Sequence, residues 1–358
     1  MTAQNSLRPR LLILCWLLLL TASLSGCTAF ADRTAPQSTV FPLSDWGRSI
    51  QDLYSLVFLM SIPVFIGVEG FIVYAVVRFR RRASDELPNQ VHGNTRLEVA
   101  WTVIPSIVLL IIAIPTISAI FYSDAPPASA QNVLKVTVIG HQWWWEFHYP
   151  DLGVSTANEL HLPAGRTASF ELKSADVIHS FWVPRMGGKV DVVPTRANHM
   201  WFTPDANAVG VYPGQCVEFC GIQHANMRLD LVVDTPSDFE AWTQRQKANA
   251  VQPTGGAEQQ GAAAFMDATR GLCFSCHAIR GTEAKGTIGP DLTHVGSRRM
   301  IAAGILENTP ANMQKWIQHS QDIKPGSKMG RPVGNGFQNL AVTDADAAAI
   351  AAYVFSLK

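Results

Sequence analysis

Gly214-Gln215-Cys216-Val217-Glu218-Phe219-Cys220-Gly221-Ile222-Gln223-His224-Ala225-Asn226-Met227 places two thiols, an imidazole and a thioether within the twelve residues from Cys216 to Met227. Soft thiolates with imidazole and a weak thioether suit copper sites that transfer electrons, where the axial ligand and the surrounding shell tune the potential. A disulfide between Cys216 and Cys220 is the plainer reading in an exported chain, and zinc accepts the same nitrogen and sulfur ligands. Neither explains Met227, a poor zinc ligand. A second imidazole should come from elsewhere. His179, in Asp176-Val177-Ile178-His179-Ser180-Phe181-Trp182-Val183-Pro184, is the candidate, because it sits among strand-like apolar residues that a sandwich can fold beside the cysteine loop.

The surrounding sequence supports such a sandwich. Short apolar or alternating runs at 133–139, 167–172 and 198–202, punctuated by Pro and Gly, predict an all-β domain over 123–236. Ahead of it lie two apolar runs, 53–77 interrupted only by Glu69 and 99–122 without a charge. Each is long enough to cross ~30 Å of hydrocarbon as a helix. They predict a transmembrane hairpin over 53–122 with its loop at 78–98. That loop carries Arg78, Arg80, Arg81, Arg82 and Arg96, whereas 28–52 carries only Arg33 and Arg48, so the loop is expected in the cytoplasm and everything after Tyr122 outside. Glu69 is costly in lipid and is expected at a protein neighbour or a boundary.

The amino terminus agrees with export. Arg8 and Arg10, an apolar run over 11–20 and then Leu24-Ser25-Gly26-Cys27 have the three-part layout of a secretory signal over 1–26. Small residues before a cysteine resemble a bacterial lipoprotein signal, with Cys27 as the lipidated first residue of an exported segment, 27–52. The six cysteines are then accounted for: Cys15 and Cys27 at the signal, Cys216 with Cys220, and Cys273 with Cys276. No thiol is left for a disulfide framework. Equal numbers of acidic and basic residues, with 16% charged, give no basic footprint for nucleic acid.

A helix and a turn-rich linker, 237–257, lead to a second exported unit over 258–358. Its signature is Cys273-Phe274-Ser275-Cys276-His277, the spacing for covalent haem c, in which two thiols bond the vinyl groups and the adjacent histidine ligates iron. Met300, Met313 and Met329 compete as distal ligand. Met313 follows the helix start Thr309-Pro310 and shares helical spacing with Trp316 and Ile317, so it is expected in the core. Met300, beside Arg298 and Arg299, is expected to begin or flank a helix. Met329, in Ile323-Lys324-Pro325-Gly326-Ser327-Lys328-Met329-Gly330, lies where Pro and Gly favour an irregular loop that can approach a haem face.

The cysteine cluster closely resembles the binuclear copper A site of cytochrome c oxidase subunit II. The resemblance runs from about residue 44 to 238 and includes Glu98-Val99-Ala100-Trp101-Thr102-Val103-Ile104-Pro105 and Gly140-His141-Gln142-Trp143-Trp144-Trp145. It implies a cupredoxin-like domain in which Cys216 and Cys220 bridge two coppers, His179 and His224 bind one each, and Met227 and the Glu218 carbonyl complete the coordination. It further implies that Trp143 passes electrons towards copper, that Glu98 lies at the mouth of a proton path, and that the Glu218 carboxylate serves a magnesium ion at the interface with subunit I. Trp144 and Trp145 read as packing residues. Val193-Pro194-Thr195-Arg196 departs from the family, which has Gly after the Pro.

The last hundred residues resemble a class I cytochrome c, an all-α domain in which the carbonyl matching Pro290 orients His277 and Met329 is the distal ligand. Together these resemblances imply subunit II of a caa-type haem-copper oxidase in a bacterial inner membrane, with both redox domains on the periplasmic side. Its partners would be subunit I and other oxidase subunits, with cytochrome c or another carrier as donor. Reduction of dioxygen to water, coupled to proton pumping, would occur in subunit I. The alternatives are the electron-accepting subunit of a copper A nitric oxide reductase and a free-standing membrane-tethered carrier.

Overall fold

The computed structural model describes residues 33–80, 90, 92–270 and 272–358. The signal segment, Cys27, Arg81 and Arg82 lie outside the described residues.

Helix α1 (Asp45–Arg78) and helix α2 (Thr95–Asp124) are the two apolar runs, with mean hydropathy of 2.3 and 2.5 in their most apolar stretches. Their apolar side chains, Phe65, Phe71, Leu109 and Phe121 among them, face outward over most of both helices, as lipid requires. Helix α1 begins eight residues before the apolar run, because Ser44 caps it by accepting from the Gly47 N–H.

That extra length bolts the hairpin to the β domain. The Ser44 hydroxyl donates to the Met186 carbonyl at 2.6 Å, Asp45 accepts from the Thr203 N–H at 2.8 Å, and Arg48 pairs with Asp205 at 2.6 Å. Trp46 is buried, donates to Ser123 of α2 at 2.8 Å, and lies so close over Gly187 that a Cβ there would sit 2.4 Å from the indole.

The β domain is two facing sheets. One orders its strands as β3 (Val154–Ala157), β2 (Trp144–Tyr149), β1 (Leu134–His141), β5 (Ala168–Ser174) and β8 (Asn198–Phe202). The other orders β4 (Glu159–Pro163), β10 (Arg228–Asp234), β9 (Gly210–Cys216), β6 (His179–Trp182) and β7 (Val190–Val192). Strand β1 runs antiparallel to β2 and parallel to β5, and Leu134, Val136 and Val138 alternate inward. Trp145, Phe147, Phe170, Phe181 and Phe202 fill the space between the sheets, each fully buried. Burial of one such side chain stabilises the fold by roughly 1.5–3 kcal/mol.

Helix α3 (Pro236–Lys247), capped by Thr235, joins this domain through its buried face of Phe239, Trp242 and Gln246. Trp242 stacks on His161 with centroids 4.3 Å apart. In the second unit, helix α4 (Gly256–Phe265) crosses the terminal helix α8 (Asp344–Ser356), and a Cβ on Gly261 would lie 1.9 Å from the Ala349 carbonyl oxygen. Only glycine permits so close a crossing. Between them stand α5 (Cys273–Cys276), α6 (Pro310–Gln318) and α7 (Ser320–Ile323). Two short ladders accompany these helices, β11 (Met300–Ile301) with β12 (Leu306–Glu307), and β13 (Arg331–Val333) with β14 (Gly336–Gln338). Met300 therefore lies on a strand and not at a helix, while Met313 is buried on α6.

Candidate metal centres

Strand pairing brings the first donor set together. Phe181 of β6 pairs with Cys216 at the end of β9, which sets His179 beside the thiol. The chain then loops outward, makes one 3-10 turn at His224–Asn226, and returns through Met227 into β10. The Cys216 Sγ lies 3.8 Å from the Cys220 Sγ, 3.9 Å from the His179 Nδ1 and 3.3 Å from the Glu218 carbonyl oxygen. The Cys220 Sγ lies 3.6 Å from the His224 Nδ1 and 3.9 Å from the Met227 Sδ. All six expected donor groups thus converge; the Glu218 carboxylate itself faces solvent.

The electrostatics favour a cation here. The Cys216 thiol is drawn well below its ordinary value, chiefly by the hydrogen bond with Cys220, with burial opposing and His179 assisting. Cys220 is pushed far up by that same partnership and by burial. One thiolate is stable at the pair, and a second beside it requires positive charge between the sulfurs.

The support of this set shows what the cluster alone does not. His179 is 0% exposed, and its Nε2 donates to Asp176 Oδ1 at 2.8 Å, which turns Nδ1 to the sulfur. Asp176 also accepts from the Gln142 and Val177 N–H groups, and these bonds outweigh burial to hold its carboxyl below the usual range. Strand β1 passes under the imidazole at Gly140, where a Cβ would lie 2.8 Å from the ring. Asp176 escaped the sequence reading, although its place three residues before His179 is a usable signal.

Trp143 is 8% exposed and donates from Nε1 to the Cys220 carbonyl at 2.9 Å, beside a parallel bond from Gln142 Nε2 at 2.8 Å. Its neighbours differ: Trp144 stacks on His141 at the surface, and Trp145 lies in the core.

The second donor set lies on α5 and the residue after it. The His277 Nδ1 donates to the Pro290 carbonyl at 2.8 Å, which leaves Nε2 for a metal. Burial lowers the affinity of this imidazole for a proton, as a neutral ligand needs. Cβ atoms on Gly286 and Gly289 would fall 2.4 Å from the Cys276 carbonyl carbon and 2.5 Å from the His277 ring, so this loop closes tightly on the motif. These residues fit a covalent haem. Met329 sits in the irregular loop after α7 and contacts the core of this unit. Its carbonyl accepts from the Ser320 hydroxyl and, at 2.9 Å, from Gln321 Nε2.

The two units are docked face to face. Lys324, 3% exposed, donates from Nζ to the carbonyls of Trp143 at 2.7 Å, Asn226 at 2.8 Å and Ala302 at 3.2 Å. Gln223 Nε2 donates to the Pro325 carbonyl at 3.0 Å, and the Arg299 N–H to Glu159 at 2.5 Å. Burial pulls Lys324 down to about 7 against the attraction of Cys220. Glu98 stands apart, at the start of α2, where it accepts from the Asn94 N–H at 3.2 Å while Asn94 accepts from Leu97.

A membrane-anchored hairpin that carries a thiolate-imidazole-thioether cluster and a Cys-x-x-Cys-His domain defines an electron-transfer protein. Three family models match: the transmembrane domain of cytochrome c oxidase subunit II over 44–119, its periplasmic domain over 153–235, and cytochrome c over 258–358. Cytochrome c oxidase subunit 2 of Alkalihalophilus pseudofirmus is 37% identical over 346 residues, covering 95% of each chain. That of Bacillus sp. strain PS3 is 36% identical over 78% of this chain and 80% of its own. The crystal structure of the periplasmic domain of subunit II of the Bradyrhizobium japonicum oxidase matches 34% of this chain and 96% of its own, at 31% identity and a TM-score of 0.31. The chain belongs to the cytochrome c oxidase subunit II family, with a cytochrome c domain at its carboxyl end, and is a subunit of an oxidoreductase.

Proposed function

We propose that this chain receives electrons from an outside carrier at its haem domain, passes them to a binuclear copper A centre and delivers them to subunit I for reduction of dioxygen to water with proton pumping. When bound, haem c and the copper pair supply reversible one-electron chemistry. Cys216 and Cys220 would bridge the coppers, His179 and His224 would each hold one, and Met227 and the Glu218 carbonyl would complete the set. Cys273 and Cys276 would bond the haem, with His277 and Met329 on its iron. The single observation that carries this reading is the convergence of those copper donors directly beneath the docked Cys-x-x-Cys-His domain.

The docking supports a specific part for Trp143 in this proposal. Its indole is covered by the loop after α7, with a Cβ on Gly326 falling 3.4 Å from the ring, so an outside carrier cannot reach it directly. Trp143 therefore receives from the fused domain and hands on through its bond to Cys220.

The two-pass topology with both domains outside, a lipid on Cys27, a proton-path role for Glu98 and a magnesium ion on the Glu218 carboxylate complete the proposal. The arginine-rich loop at 78–98 supports the topology, and the residues before Cys27 support lipidation. Rapid mixing of the assembled oxidase with reduced cytochrome c tests the order of carriers. Haem c should reduce before the near-infrared copper band bleaches, and the reverse order would refute it.

A further inference from the structure

We propose that Lys324 is the positioning residue that holds the haem domain on the copper domain in one electron-transfer pose, an inference that rests on the relay proposed above. Its ammonium uses its three donors on three neutral carbonyls, two of them across the interface. No carboxylate pairs with it among the described residues. A charge buried with no carboxylate against it is costly, and it is tolerated where fixed dipoles replace water completely. Here those dipoles belong to Trp143 and to Asn226, which immediately precedes Met227 in the copper loop. The one side chain therefore touches both the tryptophan conduit and the loop that carries His224 and Met227.

The geometry around it makes the lysine directional. Lys324 ends α7, its own N–H bonded to the Ser320 carbonyl at 2.8 Å, and Gly326 turns the chain immediately afterwards with φ of +82°. That turn lays Gly326 against Ile222 and the Trp143 ring. The Gly326 N–H donates to Gln321 Oε1 at 3.0 Å, and Gln321 Nε2 in turn holds the carbonyls of Ser327 and Met329. A continuous set of bonds thus joins the Lys324 clasp to the loop of Met329, so the same lysine fixes where the haem domain sits and where that loop stands over Trp143.

The test uses the assembled oxidase carrying Lys324→Met, which retains the stem and removes the ammonium. Three carbonyls then lose their donor, and buried acceptors left unpaired no longer favour a single pose. Haem-to-copper transfer after flash reduction should slow by about tenfold and become dependent on solvent viscosity. The haem c and copper bands should remain. Amide exchange should rise at 142–144 and 226–228 as well as at 322–328. Unchanged transfer with intact bands would overturn the proposal and leave the relay standing. Exchange confined to 322–328 would also overturn it, since that is the mark of a lysine that merely supports its own domain. If Lys324→Met does not assemble, Gly326→Ala is read instead, because its Cβ and its strained backbone push the same loop off Trp143; transfer at the wild-type rate there would overturn the proposal. Wild-type protein with no haem-to-copper transfer would overturn the relay and the proposal together.

Discussion

The Trp143 indole donates its Nε1–H to the Cys220 carbonyl at 2.9 Å, so one side chain joins the surface covered by the haem domain to the backbone of a proposed copper ligand. Trp143→Phe keeps an aromatic ring but loses the indole N–H and this bond. The copper bands should stay in place, since no ligand is touched. Haem-to-copper transfer should slow by about tenfold, equivalent to ~1.4 kcal/mol of barrier. Flash reduction measures it, and an unchanged rate would place the conduit elsewhere.

Asp176 fixes the His179 ring with Nδ1 turned to the Cys216 sulfur. Asp176→Ala should lower copper affinity by about 10- to 100-fold, as loss of such a support does at other metal sites. Titration with a copper chelator, followed at the near-infrared band, reads this out. Haem c absorbance serves as the internal control.

Glu146 gives the copper domain an acid limb. Burial alone would raise its carboxyl, but hydrogen bonds from His141 and His148 hold it at about 2, below its ordinary 4.5. A depressed folded value means that the stabilisation is fully present above pH 4.5 and is lost as pH falls through 2. At most about 3 kcal/mol is at stake. In thermal unfolding of the full chain in detergent, wild type should exceed Glu146→Gln above pH 5, and the difference should close between about pH 4.5 and 2. A constant difference across that window would show that the histidine bonds do not set it.

Much of this was legible in the sequence, and the failures share a cause. The apolar runs, the alternation of β1 and the cysteine spacings are local patterns that report local structure. The early start of α1 was not visible, because Ser44 and Trp46 are fixed by Met186, Gly187 and Ser123, remote in the chain. Asp176 and Lys324 were missed for the same reason. An aspartate in a loop and a lysine before a proline are ordinary on a surface, and only the folded chain sets one against His179 and buries the other between two domains. The 237–257 segment read as a polar helix and linker because Phe239 and Trp242 are few among charged neighbours, yet these two pack α3 into the β domain.

Met329 and Met313 separate by environment, one in a loop held by Ser320 and Gln321 and the other buried on α6. Met329→Ala in the full chain should abolish the weak sulfur-to-iron band and lower the haem potential. Met313→Ala should leave that band intact while destabilising the domain by about 2–5 kcal/mol. The opposite pattern would reassign the distal ligand.

The central claim is two separate redox centres in series, one held by Cys216, Cys220, His179, His224 and Met227 and the other by Cys273, Cys276 and His277. Cys216→Ser in the assembled oxidase tests it most directly. The account predicts loss of the copper A near-infrared band and of oxygen turnover, with the haem c spectrum intact and the haem still reducible by an outside donor. Retention of the band, or loss of haem c together with it, would contradict the account.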